Sequence, residues 1–275
     1  MDLKDLQFSF NRALSLTFCK KKLFLCFSIL ALCGLLVVFF RGLAIGASEW
    51  ILMSLTFLPF FLCAGVLLST GIVLIRIYHD EIKRKPIKYN EILGRSWELI
   101  IGASYFSIPI ILSYLVLWIF LGFFVLLKQI PGFGEVFGVI LAFAPFLLNL
   151  GTLILCLLNL GLLFFVTPIL ALKGTNRMQV AELLSRRLKS DVFSNLLLAL
   201  VAIFPLVCFT GILVLAAFLT GAACNTCASP LHNVLQWFFI MIPFTALLSP
   251  AVVFFFNFAA ESHVLIQKEI ERKPA

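Results

Sequence analysis

The nine residues FNRALSLTF, 10–18, recur twice along the chain, as YNEILGRSW at 89–97 and VAELLSRRL at 180–188, and a long apolar run follows each copy. The copies align without a gap. Phe10, Ala13, Leu14 and Phe18 fall on Tyr89, Ile92, Leu93 and Trp97, and then on Val180, Leu183, Leu184 and Leu188. That spacing of i, i+3, i+4 and i+8 puts the apolar side chains on one helical face. The charged residues fall off the face: Arg12, Glu91 and Glu182 share one position, and Arg95 and Arg186 share another. Each copy therefore reads as an amphipathic helix, apolar toward membrane or core and charged toward water.

Outward from these segments, the composition sets the solvent. Apolar residues make up 62% of the 275, charged residues only 12%, and 31 residues are phenylalanine, a balance foreign to water-soluble domains. The apolar runs are continuous rather than alternating, so they read as helices crossing a hydrocarbon core about 30 Å thick, not as strands of an outer-membrane barrel. Six spans are expected, at 23–40, 50–75, 99–127, 146–172, 192–220 and 234–260. The fold class expected is all-α, a single polytopic membrane domain over 1–275 in three units of amphipathic helix plus hairpin, at about 1–78, 79–172 and 173–275. A second internal match supports this arrangement: EIKRKP at 81–86 reads against EIERKP at 269–274, so spans two and six should leave the membrane alike.

Two stretches needed charge to be read. The first apolar run exceeds the core of an ordinary secretory signal and has no small-residue cleavage site after it, so it reads as a retained span. Residues 136–172 carry no charge and would extend about 55 Å as a helix. That is too long for one upright span and too short for two with a turn. One span is chosen, because two would move every later basic residue across the membrane. Residues 132–145 are then interfacial or re-entrant.

The net charge of +8 follows the same logic. Nineteen of the 21 Lys and Arg lie before span one, after spans two and four, or after span six, and only Arg41 and Lys128 lie in the opposite loops. The positive-inside rule then puts both termini and the three repeated helices in the cytoplasm. Basic residues beside lipid would attract anionic head groups. They do not read as a nucleic-acid site, since no interleaved aromatic and basic stacking pattern occurs outside the spans.

Few residues offer chemistry. Asn149 and Asn159, each in a Leu-Asn-Leu-Gly unit, and Asn257 in span six are polar groups inside spans. They can bind a polar ligand between the repeats or hydrogen-bond across helices as packing glue, and Gly151 and Gly161 beside them favour close helix approach. Seven prolines, at 59, 109, 145, 168, 205, 243 and 250, fall in five spans and could break helices as transporters do. Cys19, Cys26 and Cys33 recur every seven residues and read as small apolar packing residues. Cys224 and Cys227, in the outer loop, could form a periplasmic disulfide. Glu261, Ser262 and His263 are consecutive, point some 100° apart and so do not converge on a catalytic centre; they read as interfacial anchors. No phosphate loop, HExxH or nucleophile elbow is present, so no catalytic, cofactor-binding or metal-binding residue is assigned. No acidic or basic residue lies near the middle of a span, which argues against ion-coupled transport.

The repeated scheme, with its aromatic-x-x-[Ala/Ile]-Leu surface helix, resembles uncharacterised bacterial six-helix inner-membrane proteins and is similar to the membrane domain of glycerophosphodiester phosphodiesterases. That resemblance implies a bacterial inner-membrane location and carries over no catalytic residue. Two functions are expected. One is a non-enzymatic organising or regulatory membrane protein, in which Arg95, Arg186 and Arg187 contact lipid head groups or a membrane or cytoplasmic protein partner. The alternative is a transporter or lipid-handling permease with a site between the repeats.

Overall fold

Runs of Leu, Phe, Ile and Val with no charge to place and backbone groups to satisfy can only become helices in lipid, where every N–H and C=O must bond within its own segment. The computed structural model describes residues 3–84, 89–128, 130, 143–173, 177–190, 192–220 and 230–272. Their helices are α1 (Leu3–Ser15), α2 (Lys20–Leu43), α3 (Glu49–Ile82), α4 (Tyr89–Lys128), α5 (Ala144–Lys173), α6 (Arg177–Ser190), α7 (Val192–Leu219) and α8 (Pro230–Arg272). Six of them, α2, α3, α4, α5, α7 and α8, are long and apolar enough to cross a membrane. The protein is an all-α, multi-pass membrane protein.

The chain order makes successive spans antiparallel, so one end of the bundle collects α1, α6, the starts of α2 and α7 and the finishes of α3, α5 and α8. This is the polar end. Its opposite carries Arg41 at the close of α2. Among the described residues, helix α8 packs against α1, α2, α3, α5, α6 and α7, whereas α4 rests mainly on α3 and α5. The consequence shows in burial: residues 251–263 of α8 are all buried, and Val253, Phe254, Phe255, Phe256 and Phe258 form the core with Phe164, Ile169 and Leu170 of α5 and Ile72 and Ile75 of α3. Away from this centre the bundle presents apolar side chains outward, as at Phe204, 70% exposed, and Ile119, 69%. A lipid surround accepts such a surface.

The first of the three recurring segments supplies the last six residues of α1, 10–15, and the turn that follows at 16–18. Ser15 and Thr17 turn their hydroxyls back to the carbonyls of Arg12 and Ala13 and help end it. Its face docks inward, with Ala13 fully buried and Phe10 edge-on to Phe254 and Phe258 at 5.2 and 6.2 Å. Edge-on pairs of this kind contribute ~0.5–1.5 kcal/mol each. The third segment lies in α6, separate from its span, and buries Val180. The second differs from expectation. Residues 89–97 are not a separate surface helix but the first turns of the 40-residue α4, because nothing in 97–99, Trp-Glu-Leu, breaks a helix before the apolar run begins. Ile92 is buried against Val73 and Ile77 of α3.

The spans also run on through their prolines: Pro59, Pro109, Pro168, Pro205, Pro243 and Pro250 all lie inside continuous helices. The half-helices that proline could have produced do not form there. At Gly71 of α3 an added Cβ would meet the Phe256 ring of α8 at 2.3 Å, so this packing depends on glycine. Residues 132–142, from the stretch expected to be re-entrant or interfacial, lie outside the described residues.

Candidate functional site

Two features stand out in the bundle, and sequence reading located neither. The first is a cluster of charged side chains sealed into the polar end. Glu261 of α8 is 3% exposed; it accepts hydrogen bonds from Arg12 Nε at 2.8 Å, from Arg12 Nη2, and from the Tyr78 hydroxyl of α3 at 2.6 Å. Lys22, at the start of α2, is fully buried, donates to Glu81 of α3 at 2.6 Å, and lies 5.3 Å from the centre of the Tyr78 ring. Two cations face two carboxylates, so the group is neutral as a whole. It ties α1, α2, α3 and α8 together.

A second polar knot adjoins it. Arg187 of α6 is 3% exposed; it reaches Asn195 Oδ1 of α7 at 3.2 Å, Ser262 Oγ at 3.4 Å and His263 Nδ1 at 3.5 Å, and its guanidinium lies over Phe165 at 5.0 Å. Asn195 in turn donates to the carbonyl of Arg187 at 2.7 Å, closing the end of α6. Arg76 likewise bonds the carbonyl of Ala171 at 3.2 Å, where a cation suits the negative end of α5. The hydrogen bonds of Glu261 hold the Arg12 guanidinium above its ordinary pKa against the opposing effect of burial, while burial pushes Arg187 down to about 10.

These contacts revise the reading of several residues. Arg187 is not displayed toward lipid head groups or a partner but is buried against Ser262 and His263 of α8. The side chains of Arg95 and Arg186, named with it, lie outside the described residues. Glu261, Ser262 and His263 do point apart as their spacing requires, Glu261 toward α1 and α3, and Ser262 and His263 toward Arg187. All three are buried nonetheless, since this stretch of α8, residues 251–263, is surrounded by its neighbours. They join helices rather than anchor an interface.

The asparagines are scattered. Asn257 is fully buried and donates from Nδ2 to the carbonyl of Ala13 at 3.3 Å, pinning α1 to α8. Asn149 lines a cavity of only about 20 Å³ between α3, α4 and α5. Asn159 is buried ten residues further along α5. They share no site. Gly151 meets Leu117 at 3.3 Å from its would-be Cβ, as a packing glycine should, but Gly161 has nothing within 4 Å. Cys26 and Cys33 are buried, with Cys26 Sγ 3.7 Å from the carbonyl of Ser249. Cys224 and Cys227 lie outside the described residues.

The second feature is an apolar cavity of about 610 Å³ lined by α2, α3, α5, α7 and α8 and open on one side, where Phe60 and Phe218 of its wall are exposed. Its walls include Leu30, Leu67, Leu163, Leu206, Phe244 and Phe255. Along α8 it reaches from Trp237 to Phe256, about 28 Å at 1.5 Å per residue, close to the full thickness of a hydrocarbon core. Gly34 of α2 lies on the wall, where its missing side chain lets α2 pack close against α8, its would-be Cβ 3.3 Å from Thr245. None of the three asparagines touches it. Its lining is almost wholly apolar, and part of it faces the lipid surround. In a membrane, therefore, it is a place for hydrocarbon.

Polar seal and apolar cavity together define a class, a multi-pass α-helical membrane protein with a ligand-sized chamber among its spans and a charged closure at one end. No protein-family model matches the chain, and comparison with curated proteins and with solved structures found no match.

Proposed function

We propose that this chain is a lipid-handling protein of the bacterial inner membrane, holding a hydrophobic or amphipathic molecule between its spans, with both termini in the cytoplasm. The observation that carries the reading is the 610 Å³ apolar cavity among five helices. Ligand sites commonly measure ~300–1,000 Å³ and are mainly apolar, with a few polar groups that orient the ligand. The concentration of Lys and Arg at the polar end supports its assignment to the cytoplasm. On that assignment the buried ion pairs close the cytoplasmic side, and the chamber's other extremity lies toward the outer leaflet. No catalytic residue is proposed for this chain.

An organising role draws less support. It called for amphipathic helices with faces available to a partner, and of those faces Ala13, Val180 and Arg187 are spent inside the bundle, leaving Leu14 and Phe18 exposed. Native mass spectrometry of protein gently extracted from its own membrane separates the two functions. One retained lipid or apolar molecule per chain, lost in Thr210→Trp and Ala217→Trp, which fill the cavity from α7, is the expected result. A wild-type chain that carries no such molecule but holds a stoichiometric protein partner would overturn it.

A further inference from the structure

The part of the cavity wall that comes from α7 is confined to one stretch of that helix. Leu206, Thr210, Val214, Ala217 and Phe218 line the cavity, all of them beyond Pro205. Their spacing keeps them on one helical face. Burial changes at the same residue. Asn195, Leu198, Ala199 and Ala202, before the proline, are buried, whereas no residue from 206 to 219 is. A lipid-facing helix is expected to leave its outer face uncovered, but here the inward face is uncovered too, because it meets the cavity rather than another helix.

Pro205 separates the two stretches. The helix runs on through it, but the ring removes the N–H that would bond the carbonyl of Val201, and helices bend most readily at such points. Proline alone is ordinary in membrane spans, and Pro59, Pro109, Pro168, Pro243 and Pro250 also lie inside helices of this chain. At Pro205 it coincides with the end of packing and the beginning of the cavity. The neighbours leave room for movement. Among the described residues, α7 packs against α8 and α6 and makes no comparable contact with α3, and Phe60 of α3 and Phe218 of α7 stand exposed where the cavity opens.

We infer that α7 beyond Pro205 is a lateral gate: it bends at the proline and admits a hydrocarbon chain of a bilayer lipid sideways into the cavity, between α7 and α3. The inference rests on the lipid-handling reading and adds the route to it. The occupant is a lipid already in the membrane rather than a solute from water, since the opening lies among the spans and its rim is phenylalanine.

The test loads purified protein in neutral detergent with dioleoyl phosphatidylcholine, adds an excess of the same lipid with deuterated chains, and follows replacement of the bound lipid by native mass spectrometry. Pro205→Ala restores the missing N–H and should slow replacement about fivefold, the factor given by the ~1 kcal/mol of one backbone hydrogen bond, with the amount of lipid held unchanged. Pro109→Ala, in α4 away from the cavity, should match wild type. Phe218→Ala, which trims the rim, should speed replacement. Replacement in Pro205→Ala at the wild-type rate, equal slowing in Pro109→Ala, no acceleration in Phe218→Ala, or replacement complete at the first reading in every chain would overturn the gate and leave the cavity reading in place. Wild-type protein that holds no lipid would overturn the cavity reading itself.

Discussion

Replacing Glu261 by alanine should loosen the polar end, and the structure sets the size of the effect. Glu261 is the acceptor for two bonds from Arg12 and one from Tyr78. The Tyr78 hydroxyl loses its acceptor in a side chain only 1% exposed, at ~1–3 kcal/mol for a buried group left unpaired. Arg12 is 35% exposed and can rehydrate, so its share is held to ~1 kcal/mol, the range of a screened pair. About 3 kcal/mol in all is expected. At ~2–4 °C per kcal/mol, the unfolding midpoint falls by roughly 6–12 °C. Glu261→Gln, which keeps an acceptor for Tyr78, should cost about half as much. The assay is thermal melting by tryptophan fluorescence in detergent, repeated for Arg12→Met and the double variant. A coupling of about 1 kcal/mol between the two positions is expected. A Glu261→Ala protein within ~0.5 kcal/mol of wild type, below what an unpaired buried hydroxyl costs, or a coupling of zero, would refute the sealed network.

Three further outcomes are expected. Gly71→Ala drives a methyl into the Phe256 ring and should lower stability by ~1–3 kcal/mol, whereas Gly161→Ala, with open space around it, should be neutral or gain up to ~1 kcal/mol of helix propensity; the same melts distinguish them. Asn257→Ala should cost ~1 kcal/mol through the lost bond to Ala13, while Asn149→Ala leaves lipid retention in native mass spectra unchanged; loss of lipid in Asn149→Ala would restore an asparagine-lined site. Cys224 and Cys227, once reduced, should react with a membrane-impermeant thiol reagent applied outside intact spheroplasts; protection there with labelling in inverted vesicles would reverse the orientation.

The six spans were legible because lipid imposes one local rule, and a run of some 20 apolar residues satisfies it whatever its neighbours do. Even there, a boundary depended on single residues: the second amphipathic segment merged into α4, where no breaker intervenes, while the first and third stayed apart from their spans. The polar end was harder to read. Glu261, Ser262 and His263 diverge as their 100° spacing predicts, and only the enclosure of α8 by its neighbours turns divergence into burial. Lys22 was counted among residues marking a membrane face, yet it is fully buried against Glu81. A clue lay in the sequence, since Lys22, Glu81 and Glu261 all sit at span ends facing the same side. The cavity had no comparable sign. It arises in the gap left among α2, α3, α5, α7 and α8 as they pack, a property of five separated segments together.

The most direct measurement is a cryo-electron microscopy map of the protein in a lipid nanodisc, read in the space between α2, α7 and α8. Elongated density running from Arg41 past Gly34 toward Phe256 is the result expected. Helices closed together there, with Leu163, Phe244 and Leu248 filling the space and no room for a chain, would contradict the account.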